Sequence, residues 1–252
     1  MRKIFEMSDA RIAFCGPGGV GKSTLVDYLS SVWDLDIVKH ETSANLPDGI
    51  NNHADVIKYA IDSPEDSANF QYSLAWDRAN LFSCTTDGFI SDRSPVDSLM
   101  YYELQNSHQE IISTQLEDNL LDRVIQSLYS VDLTVVVIPK RPINRTEDKR
   151  INSIGYFRAQ RSYLYGFMHD LWCNDLVNGI SIAFHPDDIN EWAAVQSNHL
   201  SFKFKETSQS SISLPNVLII SEPYLLPQEG RGNLYRRIIE SIFGVNNACH
   251  YS

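Results

Sequence analysis

A chain of 252 residues, 43% apolar and 21% charged, suits one large α/β domain, since two domains would each fall near the minimum size that supports a core. Its formal net charge of −11 disfavours nucleic acid as a partner, because non-specific binding needs a broad excess of Lys and Arg. Its apolar runs are too short to cross a bilayer, and "MRKIFEMSDA" lacks the apolar core of a signal peptide, so the expectation is a cytoplasmic protein with no membrane partner; a homodimer is left open.

In chain order, Arg11 to Cys15 is a short apolar run that predicts a buried strand, and Leu25, Leu29 and Val32 predict a helix over 23–32. "DLDIVKHE" predicts a second strand ending at Glu41. Helices are expected over 52–62 and 66–85, the second opening at "SPED" with acids where a helix N-terminus favours them. "GFISDRSP" predicts a third strand that stops at Asp92, because Pro95 cannot join a ladder. Ile112, Leu116, Leu120, Val124 and Leu128 recur every four residues and predict an amphipathic helix over 109–129. "VDLTVVVIP" is continuously apolar and β-branched, as a central parallel strand covered on both faces would be.

An aromatic-rich helix follows over about 151–174, with Tyr156, Phe157, Tyr163, Tyr165, Phe167 and Trp172 assigned to packing. "NVLIIS" is the fifth strand, and Leu234, Ile238, Ile239, Ile242 and Phe243 mark a closing helix that Gly244 ends. Residues 178–214 break the alternation: "HPDDINEWAAVQ" opens as a helix and "LSFKFKE" alternates as a half-exposed strand, so a small inserted element is expected. The aspartates of His185, Asp187 and Asp188 read as a helix cap rather than a metal set. The whole predicts a single α/β domain over 1–252: a five-stranded, mainly parallel sheet with helices on both faces and a small insertion before the last strand. Cys15, Cys84, Cys173 and Cys249 form no CxxC pair and read as reduced, mostly buried thiols.

The chemistry lies in "GPGGVGKST". Gly16, Gly18, Gly19 and Gly21, with Val20 and Thr24 completing the loop, let backbone N–H groups turn around a β-phosphate at a helix N-terminus. Lys22 reaches the β and γ oxygens, and Ser23 ligates Mg²⁺. A nucleoside triphosphate is the implied ligand. A guanine-specific GTPase is disfavoured, because the segment after "VVVIP" offers "KRPINRTED" and no Asn-Lys-x-Asp base reader. Hydrolysis by an Asp-Glu pair at a strand end is also disfavoured, because Asp92 is followed by Arg93. Residues 140–161 gather Lys140, Arg141, Arg145, Lys149, Arg150, Arg158 and Arg161 against only Glu147 and Asp148, a local basic focus suited to phosphate.

Taken in order, "GPGGVGKST", "HE" after the second strand, "FQYSLAWDR", "DRSPVDSLMYY" and "RTEDKR" resemble the P-loop nucleoside and nucleotide kinases, among them the deoxyribonucleoside, thymidylate and nicotinamide riboside kinase types. The resemblance runs through about residue 165. It implies a P-loop NTPase fold, ATP as donor, Mg²⁺, and a small-molecule nucleoside or nucleotide as acceptor. It implies Glu41 as general base at the acceptor, although Thr42 stands where a proline often follows. Asp92 is implied to order Mg²⁺ or its water, and Arg93 to contact phosphate or acceptor. Gln71 is implied to bond the acceptor's base, with Arg78 two helical turns along. A lid over about 140–150 would bring Arg145 and Arg150 onto the migrating phosphoryl. Two alternatives stand beside this reading: a P-loop kinase acting on a hydroxyl of a modified base or an end in DNA, and a nucleotide-switched binding module with negligible turnover.

Overall fold

The computed structural model describes residues 6–39, 46–50, 53–106, 114–139, 154–183, 215–222 and 228–243. A short 3-10 turn, Met7–Asp9, leads into β1 (Arg11–Cys15) and α1 (Lys22–Trp33). There follow β2 (Asp36–Ile37), α2 (His53–Asp62), α3 (Pro64–Cys84), β3 (Phe89–Ser91), α4 (Pro95–Asn106), α5 (Thr114–Leu128), β4 (Leu133–Pro139), α6 (Ile154–Cys173), β5 (Asn178–Ala183), β6 (Asn216–Glu222) and α7 (Gln228–Ile242). The strands form one sheet in the order β2-β3-β1-β4-β6-β5, and every pairing among them is parallel.

A parallel sheet needs cover on both faces, and the side-chain alternation of its central strands supplies two cores. Ile12 and Phe14 of β1, Leu133, Val135 and Val137 of β4, and Leu218 and Ile220 of β6 meet α1 and α7 through Leu25, Leu29, Tyr235, Ile238 and Ile239. Val136 and Ile138 of β4 and Val217 of β6 point the other way, onto α4, α5 and α6 through Leu99, Tyr102, Leu120, Val124 and Leu164. Leu133, Val135, Val136, Val137 and Ile138 are each at most 1% exposed. Each is worth about 1.5 to 3 kcal/mol of burial, which makes β4 the strand whose disturbance costs most.

The doubly wound parallel sheet is as expected, with three differences. Among the described residues the sheet has six strands rather than five. Asn178–Ala183, placed by its sequence inside the insertion, pairs in parallel with β6 from Asn178↔Asn216 to Ala183↔Ser221. Among the described residues it is an edge strand paired to β6, which sets its register. The strand predicted up to Glu41 is only Asp36–Ile37, extended by the Val38 N–H to Ile90 carbonyl bond at 2.9 Å. A charge-rich edge segment has little apolar surface to hold it in the ladder. The helix α4 was not anticipated, and the helix predicted over 109–129 is α5, ending at Leu128.

The cysteines also differ from expectation. Cys15 is buried, but Cys84 and Cys173 are exposed, because each ends its helix at the surface; all three are free thiols. Of the α6 aromatics, Tyr163, Tyr165 and Phe167 pack half-buried on the core, while Trp172 is 44% exposed. No helix among the described residues is long and apolar enough to cross a membrane. Cys249, His185, Asp187, Asp188 and the "LSFKFKE" segment lie outside the described residues.

Candidate active site

Parallel strands end at one edge, and loops leaving that edge are where an open α/β sheet places a ligand. Register puts Ala13 beside Ser91 and Cys15 beside Val136, so the loop after β1 and the turn after β3 leave the sheet together.

The loop after β1 is bent by two glycines in particular. Gly16 has φ +148°, and a Cβ there would sit 2.3 Å from the Val137 carbonyl oxygen of β4, so only glycine lets the chain leave the strand here. Gly21 has φ +76° and stands at the N-cap of α1 with no side-chain cap, and α1 carries no acid in its first turn. That helix terminus therefore keeps a positive end suited to an anion. Lys22 folds back over the loop: its Nζ donates to the Gly16 carbonyl at 2.7 Å and to the Pro17 carbonyl at 3.1 Å. Burial pulls its ammonium down to about 8 from 10.5; Asp97, Cys15 and Asp92 act upward, and Arg93 acts downward. Val20 is buried, Gly19 half-buried, and Gly18, Ser23 and Thr24 are exposed at the loop's open side.

The second motif reaches this loop across 69 residues. The Ser23 hydroxyl donates to Asp92 Oδ2 at 2.6 Å. A hydroxyl and a carboxylate, both hard oxygen donors, suit Mg²⁺, which is usually held by one or two carboxylates with phosphate oxygens and water completing the shell. Among the described residues no group of three His, Cys, Asp or Glu side chains comes together as a metal-ligand set. Ser23 and Asp92 bring two such oxygens together at the N-terminus of α1.

Arg93 is half-buried and lies within electrostatic reach of both Lys22 and Arg78. Gln71 and Arg78 sit on the buried face of α3, at 5% and 2% exposure, two turns apart as the sequence implies. Arg78 donates through Nη1 to the Ser98 hydroxyl of α4, and burial pulls its guanidinium down to about 10, against the upward pull of Asp97. Lys22, Ser23, Asp92, Arg93 and Arg78 are therefore brought together. Glu41, Arg145 and Arg150 lie outside the described residues, although Val38, three residues before Glu41, is held beside Ser91, whose hydroxyl donates to the Val38 carbonyl at 2.8 Å.

Three contributors escaped the sequence reading. Asp97 is fully buried and accepts the Gly16 N–H at 2.9 Å; "SPVD" could have found it, as a Ser-x-x-acid helix start. Tyr101 places its hydroxyl 3.5 Å from where a Gly18 Cβ would lie and bonds Gln160 of α6, and burial pushes its phenol up. Arg231 of α7 donates to the Val20 carbonyl at 2.7 Å and lies over the Tyr235 ring. In a trans peptide the Gly21 N–H points away from the Val20 carbonyl, so the same bond also fixes the direction of that N–H. Nothing local in the sequence links residues so far apart.

No family model matches the chain, and no curated protein matches it. Solved structures do. Deoxyadenosine kinase from M. mycoides with bound dCTP aligns with a TM-score of 0.52 at 13% identity, covering 92% of this chain and 99% of that one. The same kinase with products dCMP and a flexible dCDP gives 0.52 at 12%, over 92% and 99%. With bound dATP it gives 0.52 at 12%, over 91% and 99%. This chain has the deoxyadenosine kinase fold. The alignment spans almost the whole of that chain, so the shared architecture is not confined to the phosphate loop.

Proposed function

We propose that this chain is an ATP- and Mg²⁺-dependent kinase that transfers a γ-phosphoryl group to a nucleoside, nucleotide or similar small molecule. The observation that carries the reading is the Ser23–Asp92 bond. It joins the phosphate loop to a strand-end acid that is followed by arginine, so a cation side and an acceptor side meet at one edge. The fold likeness to a deoxyadenosine kinase whose structures hold dCTP, dATP or the products dCMP and dCDP supports the same substrate class.

In this reading Gly16, Gly18, Gly19, Val20, Gly21, Lys22, Ser23 and Thr24 cradle the triphosphate, and Lys22 leaves its two loop carbonyls for phosphate oxygens. Ser23 and Asp92 hold Mg²⁺, which supplies charge neutralisation across the phosphates. Gln71, Arg78 and Arg93 face the acceptor. Glu41 takes the proton of the attacking hydroxyl as the new P–O bond forms and the bond to the ADP oxygen breaks. Arg145 and Arg150 close over the migrating group, whose charge spreads over its oxygens in the transition state.

The test is a panel of nucleosides, monophosphates and DNA incubated with labelled ATP and Mg²⁺, repeated with Glu41→Gln. Transfer to a nucleoside should fall by about 10²- to 10⁴-fold in the variant, the usual contribution of a general base, while a monophosphate acceptor, which needs no base, loses far less. No transfer from the wild type to any acceptor would sink the kinase reading. Wild-type rates in Glu41→Gln on every acceptor would remove Glu41 from it.

A further inference from the structure

We infer that Asp97 is a positioning residue that fixes the phosphate loop and the Asp92–Ser94 turn at one separation, and so sets where Lys22 and Asp92 stand relative to each other. The tether is read from geometry alone; what it positions rests on the kinase reading above.

Asp97 is 0% exposed, and each of its oxygens accepts a backbone N–H. Oδ1 takes Gly16 N–H at 2.9 Å, and Oδ2 takes Ser94 N–H at 2.9 Å. The second bond is half of a capping box at the start of α4, with Ser94 at the N-cap, Pro95 next and Asp97 three residues on. Capping needs only that oxygen. The other reaches out of α4 to a residue 81 positions earlier, which a cap does not explain.

Followed outward, the two bonds close a ring. Gly16, held by Asp97 through its N–H, accepts Lys22 Nζ through its carbonyl at 2.7 Å. Lys22 is followed by Ser23, whose hydroxyl reaches Asp92 at 2.6 Å, and Asp92 leads through Arg93 to Ser94, the other N–H that Asp97 holds. Cutting the ring at Asp97 leaves the Ser23–Asp92 bond as its remaining cross-link between loop and turn, the one a cation between those two groups would rearrange.

The residue type is also specified. Two buried N–H donors aimed at one side chain need an acceptor at both ends, which a carboxylate provides and an amide does not: its NH₂ would face one of the donors. Asp97→Asn is nearly isosteric and so tests the tether with little change in packing.

Two readouts are needed, one of them independent of activity. In nucleotide-free protein, hydrogen exchange at Gly16 should speed up at least about tenfold in Asp97→Asn, since its N–H loses its buried acceptor. In ATP-bound protein, the Mg²⁺ concentration for half-saturation should rise about 10- to 100-fold, the range for losing a group that orients a metal ligand. Adding Asp97→Asn to Asp92→Asn should then change Mg²⁺ half-saturation little further, because both act through the same ligand. Unchanged Gly16 exchange would overturn the tether. A wild-type Mg²⁺ dependence in Asp97→Asn, or full additivity with Asp92→Asn, would overturn its role toward the cation side. If Asp97→Asn does not fold, Asp97→Ser, which keeps one oxygen, is read by the same criteria. A wild type that transfers no phosphoryl to any acceptor defeats the kinase reading but leaves the Gly16 exchange result standing.

Discussion

Burial holds Lys22 at about 8 in the nucleotide-free chain, against 10.5 for a free lysine, so ATP binding should be linked to proton uptake. The charged groups acting on its ammonium are Asp97, Cys15 and Asp92, which favour the charge, and Arg93, which opposes it. A bound triphosphate adds several negative charges beside Nζ and returns the lysine to its ordinary range. With free and bound values near 8 and 10.5, Lys22 is mostly charged in both states at pH 7. At pH 9 it is roughly nine-tenths neutral when free and charged when bound, so ATP affinity should fall about tenfold between pH 7 and pH 9 with uptake of roughly 0.9 proton at pH 9. Stability follows the same bookkeeping: between about 8 and 10.5 the unfolded chain holds the proton and the folded chain does not, so nucleotide-free stability rises with pH in that window. Calorimetric titration of ATP at pH 9 in two buffers of different ionisation enthalpy measures the proton count directly. Lys22→Arg, which stays charged throughout, should abolish the uptake. Equal apparent enthalpies in both buffers for the wild type would refute the argument, because Lys22 would then not be neutral in the free site.

Gly16→Ala should lower stability by about 2 kcal/mol or more, since its Cβ would stand 2.3 Å from a β4 backbone oxygen that the sheet holds in place; a wild-type midpoint in chemical denaturation would contradict the packing described. If the proposed lid role holds, Arg145→Ala and Arg150→Ala should each lower kcat more than they weaken ATP binding, because contacts made on closure count most in the transition state. Unchanged kcat with weaker acceptor binding would instead make the segment a docking patch.

The strand, loop and helix from Arg11 to Trp33 were legible because their constraints are local: the apolar run, the glycine spacing and the helical periodicity all lie within about twenty residues. The Asp92 and Arg93 turn was legible as a motif, yet its partner Ser23 is 69 residues away and only the parallel register of β1 and β3 brings them together. α4 opens with Ser94, Pro95 and Asp97, the cap, first-turn proline and acid of a helix start, but its apolar stripe is weak and its start coincides with the Asp92-Arg93-Ser94 motif, which hides the helix signal. β5 was missed for the opposite reason: "NGISIA" is short, contains glycine and serine, and becomes a strand only by pairing with β6.

Asp97 and Arg231 show why a site of this kind cannot be read completely from motifs. Each holds a backbone group of the phosphate loop, Gly16 N–H in one case and Val20 carbonyl in the other, and backbone groups carry no residue identity. A motif records the side chains that meet a ligand and the glycines that let the chain bend. The groups that keep the bend in place come from whichever element packs behind it, here α4 and α7, on opposite faces of the sheet. The loop is therefore braced from both layers, by a carboxylate on its N–H side and a guanidinium on its carbonyl side. Such bracing holds the loop's backbone in one shape, which is the preorganisation that the proposed phosphate-binding role requires.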